Sequence, residues 1–378
     1  MILSEEQILV RDSVRDFVQN HISPFAAEWD RSSYFPANEL KQMGELGLFG
    51  MTIPEQWGGS DTGYVSFALA IEEVAAGDGA CSTILSVNNS VVCGSLLQFG
   101  TDYLKQTYLK PLASGQLLGC FCLTEPQAGS DAAALKTTAV RDKDEYVLNG
   151  NKTFITSGKN ADVAIIFAVT DDTAGKKGIS AFVVPTDNTG YQPGTVEDKM
   201  GQHASDTVQV FLQDCRIPKD HLLGAEGEGY KIALMNLESG RIGIGAQSVG
   251  MARAAFEIAL DYAKQRQTFG KPIIDHQAVG FRLADMATQL EAARLMVLNA
   301  ASLRDAGGPC LKQASMAKLF ASEAAEKICS SAIQVLGGYG YLKDYTLERI
   351  YRDVRISQIY EGTSDIQRIV IAREIGRE

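Results

Sequence analysis

One carboxylate near the end of the chain has neighbours that suit proton abstraction. In residues 360–365 (YEGTSD), Glu361 stands between a tyrosine and a glycine. An apolar aromatic neighbour shields a carboxylate from water, which raises its pKa towards the pH at which a general base works. A solvated glutamate before a helix that is capped by Thr363 or Ser364 explains the same residues equally well. Three arginines precede this segment: Arg349, Arg352 and Arg355.

Two glycine-containing segments suit contact with a ligand. Residues 123–131 (LTEPQAGSD) contain a proline and a glycine that fix a turn, and the hydroxyls of Thr124 and Ser130 suit a polar ring or a phosphate. A plain polar turn is the alternative. Residues 334–341 (QVLGGYGY) place three glycines after an apolar helical run. These glycines permit either close approach of a ligand or the end of a helix.

Several common functional motifs are missing from the sequence. It has no GxGxxG that opens a helix after a strand, no GxxxxGK[ST] and no GxSxG. The four histidines lack the paired spacing of zinc ligands, so we predict no metal site. With 35 basic and 46 acidic residues, the formal net charge is −11. Nucleic acids and anionic membranes favour basic surfaces, so we predict that the protein binds neither.

The seven cysteines and the apolar stretches indicate a cytoplasmic protein. An odd number of scattered cysteines in a chain of 378 residues does not form a disulfide framework, and we expect them to be buried in a reducing compartment. The first residues lack the basic and apolar regions of a signal peptide. Residues 163–169 are the longest strongly apolar stretch recognised in the sequence, and they are too short to span a membrane.

The period of the apolar residues changes twice and predicts three domains, at residues 1–119, 120–226 and 227–378. The first begins with a capping box at Ser4 and Gln7, followed by apolar residues at helical spacing. In the last domain the helical period returns, with one continuous apolar stripe through residues 283–301 and an alanine-rich helix through residues 317–325. Such helices pack into bundles.

The middle domain has the period of strands. Strands are predicted at residues 163–169, 179–184 and 208–212, and no long helical pattern separates them, which favours an antiparallel sandwich or barrel over a parallel sheet. The Asn149-Gly150 pair lies between two β-prone runs. This dipeptide is the usual signal of a type I′ hairpin turn, so we predict a hairpin there.

The order of the segments and three motifs together resemble the acyl-CoA dehydrogenase family over nearly the whole chain. The motifs are TEPxAGSD at residues 124–131, QxxGGxG at 334–340 and YEGT at 360–363. The similarity is greatest to the short-chain or short/branched-chain type. The resemblance implies an α+β multidomain fold with an N-terminal helical domain, a middle antiparallel β-sandwich or barrel domain and a C-terminal four-helix bundle. It also implies a homotetramer.

The resemblance implies that FAD binds between the middle and C-terminal domains. Residues 121–130 and 154–156 would line the flavin ring, where many relatives have tryptophan in place of Phe154. Arg266, Gln277 and residues 334–338 would meet the diphosphate and adenosine of a neighbouring subunit's FAD. The implied FAD-binding residues are Phe121, Cys122, Leu123, Thr124, Gly129, Ser130, Phe154, Ile155, Thr156, Arg266, Phe269, Gln277, Gln334, Val335, Leu336, Gly337, Gly338, Thr363, Ser364 and Asp365.

The resemblance also makes Glu361 the catalytic base for an acyl-CoA thioester. The α-proton would go to Glu361 and the β-hydrogen would leave as hydride to flavin N5, while a backbone N–H of Glu361 and an FAD hydroxyl polarise the carbonyl. Some relatives carry the base immediately before the arginine equivalent to Arg241, where this chain has Gly240. The implied substrate-binding residues are Ser130, Glu238, Ser239, Gly240, Arg241 and Gly362.

Three hypotheses about function follow. The first is dehydrogenation of a short- to medium-chain, possibly branched, acyl-CoA to the trans-2-enoyl-CoA, with electrons passed to electron-transferring flavoprotein. The second is an acyl-CoA oxidase that uses oxygen. The third is a flavin-free scaffold that only binds acyl-CoA. Neither the length nor the branching of the acyl group follows from the sequence.

Overall fold

The computed structural model describes residues 2–377. Its first part is helical, as predicted, and the capping box is present: the Gln7 backbone N–H donates to Ser4 Oγ (3.2 Å), and the Ser4 N–H donates to Gln7 Oε1 (3.0 Å). The helices of this part are α1 (Glu5–His21), α2 (Ala26–Ser32), α3 (Ala37–Glu45), α4 (Gly63–Gly77), α5 (Gly79–Val87), α6 (Gly94–Phe99), α7 (Asp102–Leu104) and α8 (Lys110–Ala113).

Helices α5 and α6 are joined by a π-helical segment, Asn88–Cys93, into one apolar helix. This helix, Gly79–Phe99, has 21 residues and a mean hydropathy of 1.3, enough in length and composition to cross a membrane. It is therefore a longer apolar run than residues 163–169, contrary to our expectation. Because 89% of its apolar window is buried inside the protein, it is a core helix in this fold.

The middle part forms one eight-stranded sheet in the order β6-β7-β3-β2-β4-β5-β8, with β1 beside β4. Neighbouring strands are antiparallel except in the β1–β4 and β2–β4 pairs. The three strands predicted by their period are β4, β5 and β7. The strands are β1 (Gly119–Cys122), β2 (Thr138–Asp142), β3 (Glu145–Thr156), β4 (Val163–Val169), β5 (Ile179–Pro185), β6 (Tyr191–Val196), β7 (Thr207–Pro218) and β8 (Leu222–Leu223).

The hairpin predicted at Asn149-Gly150 is wrong, because both residues lie inside β3. The turn between β2 and β3 lies instead just after Asp142, at Lys143, whose φ is +57°. A Cβ on Gly150 would lie 2.4 Å from Thr137 Oγ1, so the glycine is required by close packing and not by a turn. Asn149 Oδ1 accepts the backbone N–H of Asp214 on β7 (2.8 Å), which holds the segment in the sheet.

The last part is again helical, as predicted. Three long helices pack along one another, and α4 of the first part packs against two of them, α9 and α10. The apolar stripe of residues 283–301 and the alanines of residues 317–325 face the core. The elements are α9 (Gly229–Gln265), β9 (Gln267–Thr268), β10 (Lys271–Pro272), α10 (Gln277–Asp305), α11 (Leu311–Leu336), α12 (Leu347–Val354) and α13 (Ser364–Ile375).

Candidate active site

Glu361 lies in a left-handed turn that leads into α13. Its φ is +53° and that of Gly362 is +86°, a region that non-glycine residues adopt rarely and mostly at functional sites. The buried Gln367 holds this turn from within α13, since its Nε2 donates to the carbonyl oxygens of Glu361 (3.1 Å) and Gly362 (2.9 Å). Thr363 caps α13 by accepting the backbone N–H of Ile366, so the cap predicted here coexists with a constrained glutamate.

The carboxylate of Glu361 fills the space beside Gly240 on α9. A Cβ on Gly240 would lie 2.7 Å from Glu361 Oε2, and this oxygen is shielded from solvent without a hydrogen-bond partner among residues 2–377. The position at which some relatives carry their base is therefore occupied by a carboxylate from a different element. An unpartnered, shielded carboxylate oxygen is free to take a proton from a substrate.

Two buried cations face this carboxylate from two helices. Arg241 on α9 is 4% exposed and donates to Ser315 Oγ (3.2 Å), and Lys318 on α11 is fully buried. Burial raises the pKa of Glu361 to about 7, although the charges of Arg241 and Lys318 act to lower it. A carboxylate whose pKa lies near neutral pH is matched to general-base catalysis.

The other residues of the α9 turn that the resemblance implicates point in different directions. Glu238 accepts hydrogen bonds from Arg304 Nη1 (3.2 Å) and Cys310 Sγ (3.0 Å), which places it at the far end of α10. Ser239 is buried, and its hydroxyl donates to the Asn236 carbonyl (3.0 Å). The structure thus brings Gly240 and Arg241 to Glu361 and turns the side chains of Glu238 and Ser239 elsewhere.

The turn at residues 123–131 is built around a buried ion pair that sequence reasoning missed. Glu125 Oε1 lies 2.7 Å from Lys152 Nζ, and the two side chains are 3% and 0% exposed. Glu125 also accepts the backbone N–H groups of Lys136 (2.6 Å) and Thr137 (3.0 Å). Thr124 is attached to β3 as well, since its carbonyl accepts the Thr153 N–H (2.9 Å). Gly129 and Ser130, in contrast, are exposed.

Next to this turn, a β-bulge turns one aromatic ring outwards. The pairing of β3 with β7 shifts between Lys152 and Ile155, and Phe154 in this interval has a φ of +57° and is 68% exposed. Thr156 is half-buried beside it, whereas the side chain of Ile155 is buried in the core of the sheet. Phe154 and Thr156 are therefore available to a ligand, and Ile155 offers only its backbone.

The first strand offers less side-chain surface than the resemblance implies. Cys122 is fully buried, and Phe121 is half-buried with its ring 4.9 Å from that of Phe167. All seven cysteines are buried and unpaired, as expected. Leu123 and Thr124 are half-buried at the start of the turn. The accessible part of residues 121–130 is therefore the turn and not the strand.

A groove of about 420 Å³ joins the two predicted diphosphate-binding segments. Arg266 lies at one wall, and its guanidinium makes no ion pair within residues 2–377. A Cβ on Gly338 would meet no atom within 4 Å, whereas Gly337 has a φ of +60° and caps the end of α11, which is the alternative role predicted for these glycines. A bare backbone beside an unpaired guanidinium suits a diphosphate. The lining residues are Tyr262, Arg266, Thr268, Ile273, Val335, Leu336, Gly337, Gly338, Tyr339 and Leu342.

Some of the predicted FAD-binding residues lie outside this groove in the described chain. Phe269 is 97% exposed at the tip of the β9–β10 hairpin, where both it and Gly270 have positive φ. Gln277 and Gln334 are exposed, and Asp365 pairs with Arg368 at 3.4 Å. The resemblance assigns Gln277 and residues 334–338 to a neighbouring subunit's cofactor, and the exposure of Phe269, Gln277 and Gln334 is compatible with that assignment.

A buried polar network fixes Tyr360, the residue that precedes Glu361. The Tyr360 hydroxyl donates to Gln247 Oε1, and Gln247 Nε2 donates to Thr83 Oγ1 (2.6 Å) and Ser82 Oγ (2.8 Å). Gln247 is fully buried and lies seven residues after Gly240, on the same face of α9. In the sequence, this spacing is the only feature that relates Gln247 to Gly240, and a residue of the ordinary helix core would have the same spacing.

Comparison with known proteins decides which family this arrangement represents. Models of the acyl-CoA dehydrogenase N-terminal, middle and C-terminal domains match residues 4–116, 120–215 and 227–376. The chain belongs to the acyl-CoA dehydrogenase family. It is therefore an oxidoreductase with acyl-CoA dehydrogenase activity, and the family is FAD-dependent.

Individual relatives match the acyl-CoA dehydrogenase chain over its full length. It is 48% identical to the mitochondrial short-chain specific acyl-CoA dehydrogenase of Bos taurus, over 98% of this chain and 90% of that one. Butyryl-CoA dehydrogenase from Megasphaera elsdenii has a TM-score of 0.98 and 40% identity, with complete coverage of both chains. A chain from a structural study of the electron-transferring flavoprotein of Acidaminococcus fermentans has a TM-score of 0.99 and 44% identity, also with complete coverage.

The residues of this acyl-CoA dehydrogenase fit FAD. The exposed aromatic ring of Phe154 and the constrained turn at Thr124 and Ser130 suit the isoalloxazine, and the groove beside Arg266 suits a diphosphate. These sites lie in different elements, and the resemblance assigns the groove beside Arg266 to the FAD of a neighbouring subunit. The fit to the diphosphate is the part that a single substitution tests most directly.

Arg266→Ala is expected to lower FAD retention at least about tenfold, because it removes the guanidinium of the groove. FAD per subunit after gel filtration measures the loss, and the subunit number is read in the same run. Lys264→Ala is the matched control, since this exposed lysine lies two residues away and outside the groove. Unchanged flavin content in Arg266→Ala contradicts the assignment.

Proposed function

We propose that this acyl-CoA dehydrogenase converts short-chain acyl-CoA thioesters to trans-2-enoyl-CoA products, with Glu361 as the base that removes the α-proton. The observation that carries the proposal is the carboxylate of Glu361, held beside Gly240 with one shielded, unpartnered oxygen. The raised pKa of this group, about 7, supports the same role.

The protein's part in this reaction is to hold an acyl chain and move one proton. The C–H bond at the α-carbon breaks, its proton passes to a Glu361 oxygen, and its electron pair forms the new double bond as hydride leaves the β-carbon. Bound FAD supplies the two-electron acceptor for that hydride. The turn fixed by Gln367 keeps the carboxylate in place during the transfer, and the half-buried loop limits competing water.

A short acyl chain is favoured by the polar network behind Gly240. The Gln247 side chain lies seven residues further along the same face of α9, about 10 Å along the helix axis. Its amide is hydrogen-bonded to Tyr360, Thr83 and Ser82. These hydrogen-bonded polar groups therefore limit the space for an acyl chain along this face of α9. A long apolar chain that reached this point would displace them, which costs free energy. The short-chain names of the relatives support the same substrate class.

A panel of acyl-CoA thioesters tests the substrate class. We expect the second-order rate constant for anaerobic flavin bleaching with butyryl-CoA or hexanoyl-CoA to exceed that with dodecanoyl-CoA by at least about tenfold, since chain-length discrimination by a pocket is of this order. Methyl-branched isobutyryl-CoA serves as the comparison for pocket width. Equal or faster bleaching with dodecanoyl-CoA contradicts the short-chain assignment and leaves the base assignment intact.

We further propose that electron-transferring flavoprotein is the acceptor and that the protein is a homotetramer. The neighbour from the Acidaminococcus fermentans flavoprotein study supports electron-transferring flavoprotein as the acceptor. Oxygen uptake on addition of thioester distinguishes this function from that of an oxidase.

The 97% exposure of Phe269 and the surface groove at Arg266 support the homotetramer, because an apolar ring and an unpaired guanidinium of this kind suit an interface between copies.

A further inference from the structure

The clearest unassigned feature near the site is the buried ammonium group of Lys318. Lys318 lies on α11 among the small buried residues of that helix, including Ala314, Ala317 and Ala321. It is fully buried, and its Nζ makes one hydrogen bond within residues 2–377, to the carbonyl oxygen of Gly362 (2.7 Å). Burying an ammonium costs several kcal/mol, so a position whose neighbours are alanines does not need one for packing.

The bond from Lys318 holds the constrained turn from α11, a helix other than the one that the turn leads into. The Gly362 carbonyl receives two donors, Lys318 Nζ from α11 (2.7 Å) and Gln367 Nε2 from α13 (2.9 Å). Glu361 and Gly362 both have positive φ, a conformation that persists only where surrounding groups impose it. The two donors together fix the peptide that follows the base.

The charge of Lys318 also acts on the carboxylate of Glu361. Two charged groups face Glu361: Arg241 from α9 and Lys318 from α11. The titratable hydroxyl of Tyr360 also faces it, from the same loop. The charges of Glu238 and Arg373 act on Arg241. Burial lowers the pKa of Lys318 to about 8, and the attraction of Glu361 opposes this shift, so the ammonium is mostly charged at neutral pH.

We propose that Lys318 is a positioning residue for the base: it clamps the Gly362 carbonyl and favours the ionised form of the Glu361 carboxylate. This inference rests on the proposed role of Glu361. Arg241 contributes the same sign of charge but bonds to Ser315 and not to the turn, so of these two cations Lys318 is the one that combines the two effects.

Two substitutions separate the clamp from the charge. Lys318→Met removes both, whereas Lys318→Gln removes the charge and keeps an N–H donor on a side chain that is one atom shorter. Lys41→Met, at an exposed lysine of α3, is the control. The rate of anaerobic flavin bleaching by butyryl-CoA is measured from pH 6 to 9, and the ionisation of Glu361 is followed independently by infrared difference spectroscopy against Glu361→Gln.

In both Lys318 variants we expect the midpoint of the pH profile and of the infrared titration to move upwards by about one pH unit, because a cation no longer favours the carboxylate. In Lys318→Met we also expect the maximal rate to fall at least about tenfold through loss of the fixed turn, with a smaller fall in Lys318→Gln. Lys41→Met should match the wild-type enzyme.

Unchanged midpoints in both variants overturn the proposal, as does failure of both variants to fold with FAD, which would make Lys318 a structural residue only. Neither result affects the proposed function, because Glu361→Gln tests that separately. If Glu361→Gln retains rapid bleaching, the proposed function fails first, and no pH shift in the Lys318 variants is then expected.

Discussion

Glu361→Gln is expected to lower the rate of flavin reduction by acyl-CoA about 10³-fold, in the range that a general base contributes. The amide is nearly isosteric with the carboxylate but cannot accept the α-proton. The substitution keeps the shape of the side chain, so FAD should stay bound, but it removes the negative charge that faces the buried Arg241 and Lys318 and should therefore cost some stability. Stopped-flow absorbance under anaerobic conditions measures the rate of bleaching with butyryl-CoA.

The pH dependence gives this prediction a second, independent readout. Because burial raises the pKa of Glu361 to about 7, the wild-type rate should rise as the pH increases through 7 and the carboxylate loses its proton. The residual rate of Glu361→Gln should lack this rise. Glu55→Gln, at an exposed glutamate, is the control and should keep the wild-type profile. Near wild-type bleaching by Glu361→Gln contradicts its role as the base.

The sequence predicted the fold well where periodicity is unambiguous. The capping box at Ser4, the strands β4, β5 and β7 and the apolar stripe of α10 all follow from local patterns that the tertiary structure leaves intact. The hairpin prediction was wrong because glycine occurs both in tight turns and at positions where packing leaves no room for a side chain. At Gly150 it makes room for Thr137 across the sheet, and nothing in the local sequence distinguishes that from a turn.

At the candidate site, the motifs identified the segments that form it but not the buried residues that hold those segments in place. Glu361 was predicted from its motif, and Gly240 was recognised as a place without a side chain, yet their contact depends on how α9 and the last loop pack. Lys318 and Gln247 were missed because a lysine or glutamine in a helix normally indicates a solvated face. Only tertiary packing shows that both are fully buried.

Glu125 is the most consequential of the missed residues. In the TEPxAGSD segment it has the appearance of an exposed turn residue, but its carboxylate is the centre of the turn, with Lys152 Nζ at 2.7 Å and two backbone N–H groups as further donors. Burial alone would raise the pKa of Glu125, but the ammonium of Lys152 and these hydrogen bonds lower it to about 2.

Glu125→Gln is therefore expected to destabilise the protein by about 3–5 kcal/mol, because it leaves the ammonium of Lys152 buried without a counter-charge. The turn that presents Thr124 and Ser130 should loosen at the same time, so FAD is lost at a lower temperature. Chemical denaturation measures the free energy of unfolding, and flavin fluorescence during heating measures the release of FAD. Asp144→Asn, in an exposed pair with Lys219, is the control and should change the free energy of unfolding little.

The double variant Glu125→Gln/Lys152→Met determines whether the loss comes from the stranded charge. Since the second substitution removes that charge, the double variant should be more stable than Glu125→Gln alone. Acid provides the same test in the unmodified protein: the stabilisation from the lowered pKa of Glu125 is present above about pH 4.5 and is lost as the pH falls towards 2. Additive losses in the double variant would mean that the two side chains act independently, and that the turn at residues 123–131 is held by its backbone hydrogen bonds instead.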